Sequence, residues 1–179
     1  MFDFRRLEEK ITIEPYKDHW KEWYIDEIEQ LKNIFDRNLI GMEHFGSSSI
    51  LGLYSKPIVD IMVGLKEFEV TEEQIYGLEY LEYEYFGQLH TNQERFFARK
   101  RKGRNFNLAI VPYGKEEWIE KIIFRDYLRE HPEKVKLYSE IKTDAMSLGK
   151  DTLLAYHEHK ENVVKNLLTE ALEWKTRKN

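Results

Sequence analysis

The residues best suited to chemistry lie between positions 44 and 63. There the chain reads His44-Phe45-Gly46-Ser47-Ser48-Ser49, then Gly52-Leu53, then Lys56-Pro57-Ile58-Val59-Asp60-Ile61-Met62-Val63. Gly46 lets the backbone approach a ligand closely, and the serines bring hydroxyl and amide donors. A helical turn beginning here would aim its free N–H groups at an anion, with Lys56 as counter-charge. Gly46, Ser47, Ser48 and Lys56 are therefore the candidate phosphate ligands. Asp60 stands in an apolar, strand-like run, where a rigidly held carboxylate suits Mg²⁺ beside a polyphosphate, because that metal prefers oxygen ligands and keeps several waters. It is the candidate metal ligand and a candidate catalytic residue. His44, just ahead of the turn, is the second catalytic candidate, placed to bond a phosphate, orient Asp60 or act as acid or base. The plainer alternatives are a simple Gly-Ser turn, an Asp60 that caps or solvates an edge strand, and a purely structural His44.

A second group of charges follows. Arg95, Arg99, Lys100, Arg101, Lys102 and Arg104 concentrate positive charge in a chain whose formal net charge is −5. Strand alternation puts Arg95, Phe97 and Arg99 on one face and Phe96 and Ala98 on the other, which makes Arg95 the preferred ligand residue of this group. Lys102 and Arg104 read as solvated charges that guard a strand edge. Arg125, next to Asp126 on a predicted helix, either pairs with a carboxylate or binds ligand. His157 and His159 are two apart on a predicted helix, point to different sides, and read as surface residues. Tyr80, Tyr83, Tyr85 and Phe86 alternate with charges and fit core packing and strand pairing better than a base-stacking platform.

These residues need elements to hold them. Trp20, Tyr24, Ile28, Leu31 and Phe35 recur every three or four positions after Pro15, one face of an amphipathic helix. Residues 39–45 and 58–65 read as strands, and their link is long enough to contain a helical turn. Thr71, with Gln74 three residues on, caps a helix running to Leu81, and a strand follows at 83–86. Residues 95–100 and 105–111 flank Arg101-Lys102-Gly103-Arg104 as an antiparallel hairpin. From Lys115 onward the pattern is three helices. One starts at Pro132, and Gly149 and Asp151 end one and cap the next, while residues 175–179 read as a frayed tail. The expected architecture is α+β, a mixed sheet flanked by helices, in a single domain spanning 1–179.

Bulk properties narrow the function further. The absence of cysteine removes disulfides, thiolate zinc sites and cysteine nucleophiles together. The acidic balance argues against broad adhesion to nucleic acid, which depends on many lysine and arginine contacts to phosphate. No apolar run approaches the roughly 20 residues that span a bilayer, and the opening MFDFRRLEEK is charged where a signal peptide is apolar, so a cytoplasmic protein without a membrane partner is expected.

With these residues in view the chain resembles the GrpB family, whose proteins have a nucleotidyltransferase-like fold. The resemblance rests on His44-Phe45-Gly46-Ser47-Ser48, Gly52-Leu53, the run from Lys56 to Val63 and Phe124-Arg125-Asp126-Tyr127-Leu128. Tyr138 to Lys142 and Tyr156 to Lys160 follow in the same order, and the likeness extends from about Ile11 to about Leu172. It implies that fold with a C-terminal helical segment, a nucleotide or other phosphorylated small molecule as ligand, and Mg²⁺ as companion ion. Some GrpB relatives are fused to dephospho-coenzyme A kinase, which points to nucleotide-like ligands as well. The wider superfamily carries Asp-x-Asp or Asp-x-Glu on the strand after its Gly-Ser turn, since side chains two apart share a face and clamp metal ions together. Here the text is Asp60-Ile61-Met62, and a thioether is a poor ligand for Mg²⁺. Asn105 and Asn107 stand on the later strand where GrpB relatives tend to have histidines. The resemblance leaves open binding without transfer, one metal completed by the phosphates, or a different chemistry. The alternative is a non-catalytic interaction or regulatory module that docks a protein through the basic hairpin or the C-terminal helices.

Overall fold

β1 (Leu39–Phe45), β2 (Val59–Leu65), β3 (Glu84–Gln88), β4 (Phe96–Lys100) and β5 (Phe106–Pro112) form one mixed sheet in the order β1-β2-β5-β4-β3. β2 and β5 run parallel, and the other neighbouring pairs are antiparallel. The helices are α1 (His19–Phe35), α2 (Glu72–Tyr80), α3 (Glu116–Glu130), α4 (Pro132–Ser147) and α5 (Leu153–Lys178). The computed structural model describes residues 8–88 and 94–178, so most of the charged opening segment lies outside the described residues. The α+β arrangement expected from the sequence is the one observed.

The two-residue period of the strands sorts the sheet into unlike faces. Val59, Ile61, Val63 and Leu65 of β2, Ala98 of β4, and Phe106, Leu108 and Ile110 of β5 form one core with Trp20, Leu31 and Phe35 of α1 and Leu78 of α2. The opposite face is half sealed. Met62 and Val111 pack under Trp118 of α3, and this close approach needs Gly64, where a Cβ would fall 2.6 Å from the Trp118 ring. Beyond them Asp60, Asn107, Ala109, Phe97 and Arg99 look into an open cleft. Ile50 and Leu53, from the link between β1 and β2, join Tyr127, Leu128, Val135, Tyr138 and Leu167 in a second core. The link is thereby tied to the C-terminal helices, and the cleft forms where sheet, link and helices meet.

Local signals act as their chemistry predicts. Thr71 and Gln74 complete a reciprocal capping box at α2, and Pro132 occupies the first turn of α4, where a missing N–H costs nothing. Three boundaries differ. α1 begins at His19, later than Pro15, because Glu14 exchanges backbone hydrogen bonds of 2.8 and 2.9 Å with Ser55 and stays extended. Asp151 does not cap α5. Its carboxylate pairs with Lys10 at 2.9 Å, and the Thr152 hydroxyl accepts the Ala155 N–H at 3.4 Å instead. The tail expected to fray continues as helix through Lys178, anchored by Trp174 against Tyr127 and His131 and by a hydrogen bond from Lys178 to Glu130. Among the described residues no helix is long and apolar enough to cross a membrane.

Candidate functional site

β2 lies between β1 and β5, so Asp60 is held by an inner strand and is not an edge residue. Its Oδ1 accepts the Asn107 side-chain amide at 2.8 Å. Asn107 in turn accepts a hydrogen bond of 2.6 Å from Arg101 Nη2, and Arg101 Nη1 donates to the Phe106 carbonyl at 2.7 Å. This relay fixes the carboxylate in place. On its other side stands Gly46, with φ +68°, where a Cβ would fall 2.5 Å from Asp60 Oδ2. Only glycine satisfies both the positive φ and the close approach. Burial pushes the Asp60 pKa up, against the Asn107 hydrogen bond and the attraction of Lys56, Arg101 and Lys142.

After Gly46 the chain makes the expected helical turn, a single 3-10 turn over Ser47–Ser49. Ser47 faces the cleft, where Lys142 Nζ donates to its Oγ at 2.5 Å and to the Tyr54 carbonyl at 2.8 Å. Lys142 is almost fully buried, with its ammonium 4.4 Å from the centre of the Tyr138 ring. Desolvation and the neighbouring Lys160 and Lys56 push its pKa well below the usual lysine range, with Asp60 acting the other way. Lys160 of α5 lies 5.5 Å from the Tyr156 ring centre and 3.4 Å from the Tyr138 hydroxyl. Burial first, and Lys56 second, lower its pKa to about 8. Burial also lowers the Lys56 pKa, while Asp60 raises it.

The cleft encloses about 450 Å³. Among its described lining residues seven are basic, Lys56, Arg95, Arg99, Arg101, Lys121, Lys142 and Lys160, against three acidic, Glu9, Asp60 and Glu120. Apolar surface supplies much of the remainder. Phe86 and Phe97 stack with ring centres 5.6 Å apart, Arg99 lies over Phe86, and Phe124, Val164 and Leu168 belong to the same lining. Arg95 reaches the cleft as alternation predicts, and forms an ion pair of 3.0 Å with buried Glu117. Lys102 and Arg104 stay outside, paired with Glu82 and Asp26.

Gly46, Ser47, Lys56, Asp60 and Arg95 are thus brought together, and three other candidates are not. In the β1/β2 ladder Phe45 stands opposite Asp60 and His44 opposite Ile61. His44 therefore turns to the α1 side, where it stacks on Tyr24 and its Nε2 lies 3.1 Å from Ser48 Oγ. It does not orient Asp60. Desolvation, with Arg129 and Arg125 nearby, lowers its pKa to about 3, so the ring is neutral. Ser48, fully buried on this hydrogen bond, presents no hydroxyl to the cleft. Arg125 donates to Glu43 at 2.6 Å, to Asp126 at 2.8 Å and to the His44 carbonyl at 3.1 Å. With His44 and Arg129 it lines a separate pocket of about 200 Å³, so carboxylate pairing, one of its two expected roles, is the one observed.

The residues present do not fit a protein-held pair of metal ions. Among the described residues no three His, Cys, Asp or Glu side chains come together as a metal site. Met62, on the same face as Asp60 and two residues on, is sealed under Trp118.

Lys142, Lys160, Tyr138, Tyr156, Arg101 and Asn107 complete the cleft, and the sequence pattern alone did not single them out as site residues. A signal existed for the lysines. Val135, Tyr138, Lys142 and Ala145 continue the buried stripe of α4, and Tyr156, Lys160, Val163 and Leu167 that of α5. A lysine at an apolar position of an amphipathic helix, four residues after a tyrosine and in two successive helices, marks a charge turned inward. His157, expected on the surface, is exposed but stands on the cleft lining. His159 pairs with Asp144 at 3.1 Å.

Comparison with known proteins places these features in a wider group. A family model described as GrpB protein matches residues 10–170. The UPF0157 protein YqkA of Bacillus subtilis is 27% identical over 170 residues, which are 95% of this chain and 50% of that protein, so the chain spans half the length of that relative. The glutamate-rich protein GrpB of Alkalihalophilus pseudofirmus is 26% identical over 168 residues, 90% of this chain and 95% of that one. Among solved structures, conserved protein GrpB from Enterococcus faecalis superposes with a TM-score of 0.79 at 28% identity, covering 92% of this chain and 99% of the other. Terminal uridylyl transferase 4 from Trypanosoma brucei, solved with bound dUTP, gives a TM-score of 0.51 at 12% identity over 74% of this chain and 46% of that one, a likeness of fold.

Proposed function

The chain belongs to the GrpB family and has a nucleotidyltransferase-like fold, and from that premise we propose that it binds a nucleotide or another phosphorylated small molecule in the cleft between the sheet and helices α3 to α5. One observation carries this reading: in a protein of formal net charge −5, basic side chains from the β1–β2 link, β4 and its turn, and all three C-terminal helices converge on a single cavity. A phosphate group is the small ligand whose charge and oxygen acceptors match them. Gly46, Ser47, Lys56, Lys142 and Lys160 surround the phosphate, and Arg95 and Arg99 stand further along the lining. The Phe86–Phe97 stack, with Phe124, offers apolar surface to the rest of the ligand. The dUTP held by the Trypanosoma brucei enzyme, a protein of like fold, agrees with a ligand of this class.

Catalysis is not part of the proposal. A rigid carboxylate at Asp60, with Met62 in the neighbouring place, supports binding and leaves transfer without its second metal ligand. The basic hairpin gives little support to a protein-docking role, because Lys100, Lys102 and Arg104 are already paired with Glu27, Glu82 and Asp26.

The reading is tested by thermal shift against nucleoside mono-, di- and triphosphates and inorganic pyrophosphate. A ligand at one hundred times its Kd stabilises by about 2.7 kcal/mol, worth about 5 to 10 °C in Tm for a chain of this size. The shift is expected to shrink in Ser47→Ala. Equal shifts in wild type and Ser47→Ala, or none with any compound, would remove the proposal.

A further inference from the structure

Three lysines from three separate parts of the chain, the β1–β2 link, α4 and α5, meet around one sheet-borne carboxylate. Lys142 is bound to Ser47, Lys160 reaches Tyr138, and Lys56 lines the same wall. The charges interact: Lys142 feels Lys160, Lys56 and Asp60, and Lys160 feels Lys56 and Asp60. Building such a cluster works against desolvation and like-charge repulsion, so it needs a compensating anion. The carboxylate in its midst is poorly placed to hold a metal. Its Oδ1 is taken by Asn107, its Oδ2 faces the Gly46 backbone, and the position two residues on is a buried methionine. A divalent cation entering here would meet three lysines around that carboxylate, and among the described residues no three His, Cys, Asp or Glu side chains gather to hold it.

Resting on the phosphate-binding reading, we infer that the cleft takes its ligand's phosphate group without a divalent cation, Lys56, Lys142 and Lys160 supplying the positive charge that Mg²⁺ supplies in metal-dependent phosphate sites. An ammonium is a compact charge with three rotatable donors and suits a tetrahedral dianion. An arriving phosphate dianion favours the ammonium form of all three lysines, whose charge together exceeds that of the Asp60 carboxylate they surround. Asp60, tied to Asn107 and through it to Arg101, then offsets part of the lysine charge until the ligand arrives and competes with the incoming phosphate for it.

The test is titration calorimetry of the full chain with inorganic pyrophosphate and with ADP, each in EDTA and in excess Mg²⁺. The two probes separate a site that reads phosphate alone from one that also uses the nucleoside. Binding in EDTA is expected to equal or exceed that in Mg²⁺, because Mg²⁺ competes with the lysines for phosphate oxygens. A second readout is proton uptake near pH 8, measured in buffers of different ionisation enthalpy. Lys160 faces Tyr156 and His157 on its own helix, Tyr138 and Lys142 of α4, Lys121 of α3, Lys56 and Asp60, and an arriving anion raises its pKa, so protons are taken up. Asp60→Asn is expected to retain binding or tighten it severalfold, and Lys160→Met to weaken it tenfold or more while the fold, followed by far-UV circular dichroism, is kept. A tenfold loss in EDTA, or undiminished binding by Lys160→Met, overturns the inference and leaves the phosphate reading standing. Loss of binding in a folded Asp60→Asn also overturns it. Failure of both probes in both conditions overturns the phosphate reading together with it.

Discussion

Two basic pockets flank the same Gly-Ser turn, and they differ in how their charges are answered. In the smaller one Arg125 meets Glu43, Asp126 and the His44 carbonyl, and Arg129 donates to the Ser49 carbonyl at 2.8 and 3.2 Å. In the larger one Arg95 pairs with Glu117 and Arg99 with Glu9 and Glu84, while Lys56, Lys142 and Lys160 gather around the Asp60 carboxylate. Both contain arginine or lysine near a serine turn, so residue type does not separate them. Pairing does. A cation answered by its own protein stabilises the fold, whereas a cluster left with excess charge is poised for an outside anion.

The largest expected effect falls on the paired pocket. Arg125→Ala leaves Glu43 and Asp126 without their buried partner. Because those carboxylates are 39% and 41% exposed, the cost is about 2 to 3 kcal/mol, below that of a fully buried pair. Denaturant unfolding reads this loss, while ligand-induced thermal shifts stay at the wild-type level. A large change in ligand response with little change in stability would break the comparison.

Lys142→Met is the mirror experiment. Removing one charge-assisted contact to phosphate is expected to weaken ligand binding on the order of 10- to 100-fold. Because the substitution also removes a desolvated amine, Tm of the free protein should hold or rise. A destabilised variant with intact binding would reverse the assignment of the two pockets.

Acid sharpens the contrast. His44 is neutral in the fold, with a pKa of about 3, and near 6.5 once unfolded, so the unfolded chain binds the extra proton. Its contribution is complete above about pH 6.5 and is lost as pH falls towards 3, with a slope of up to about 1.4 kcal/mol per pH unit. His44→Gln is expected to flatten the acid limb of a stability–pH curve, and an unchanged limb would show the ring to be protonated in the fold.

The smallest effects belong to the hairpin tip. Lys102→Ala and Arg104→Ala remove exposed ion pairs and should change stability by less than about 0.5 kcal/mol, with no change in ligand response. A weakened response would extend the cleft to residues that here stand outside it.

The elements were legible where local chemistry decides them. Thr71 and Gln74 form their capping box wherever the helix goes, Gly46 and the serines turn the chain, and the alternation of Phe96, Phe97, Ala98 and Arg99 marks a strand with two faces. The candidate site was half legible. Gly46, Ser47, Lys56, Asp60 and Arg95 could be chosen from type and spacing, but His44 and Ser48 seemed equal to them because all lie within a few residues of the turn. Which face His44 takes depends on its partner across the ladder, Ile61, and register belongs to the pairing of two strands and not to either one.

The order of residues by itself determined the α+β arrangement, the glycine-serine turn, the basic run from Arg95 to Arg104 and the methionine two residues after Asp60, because each depends on residue type and on neighbours a few positions away. Only the tertiary structure decided that Lys142 and Lys160, 82 and 100 residues beyond Asp60 in the chain, come to the same carboxylate. It alone decided too that Arg125 goes to Glu43 instead of to the cleft. The physical reason is distance: charges interact through space, and which of them meet is set when the apolar stripes of α3, α4 and α5 pack on the link and on one face of the sheet.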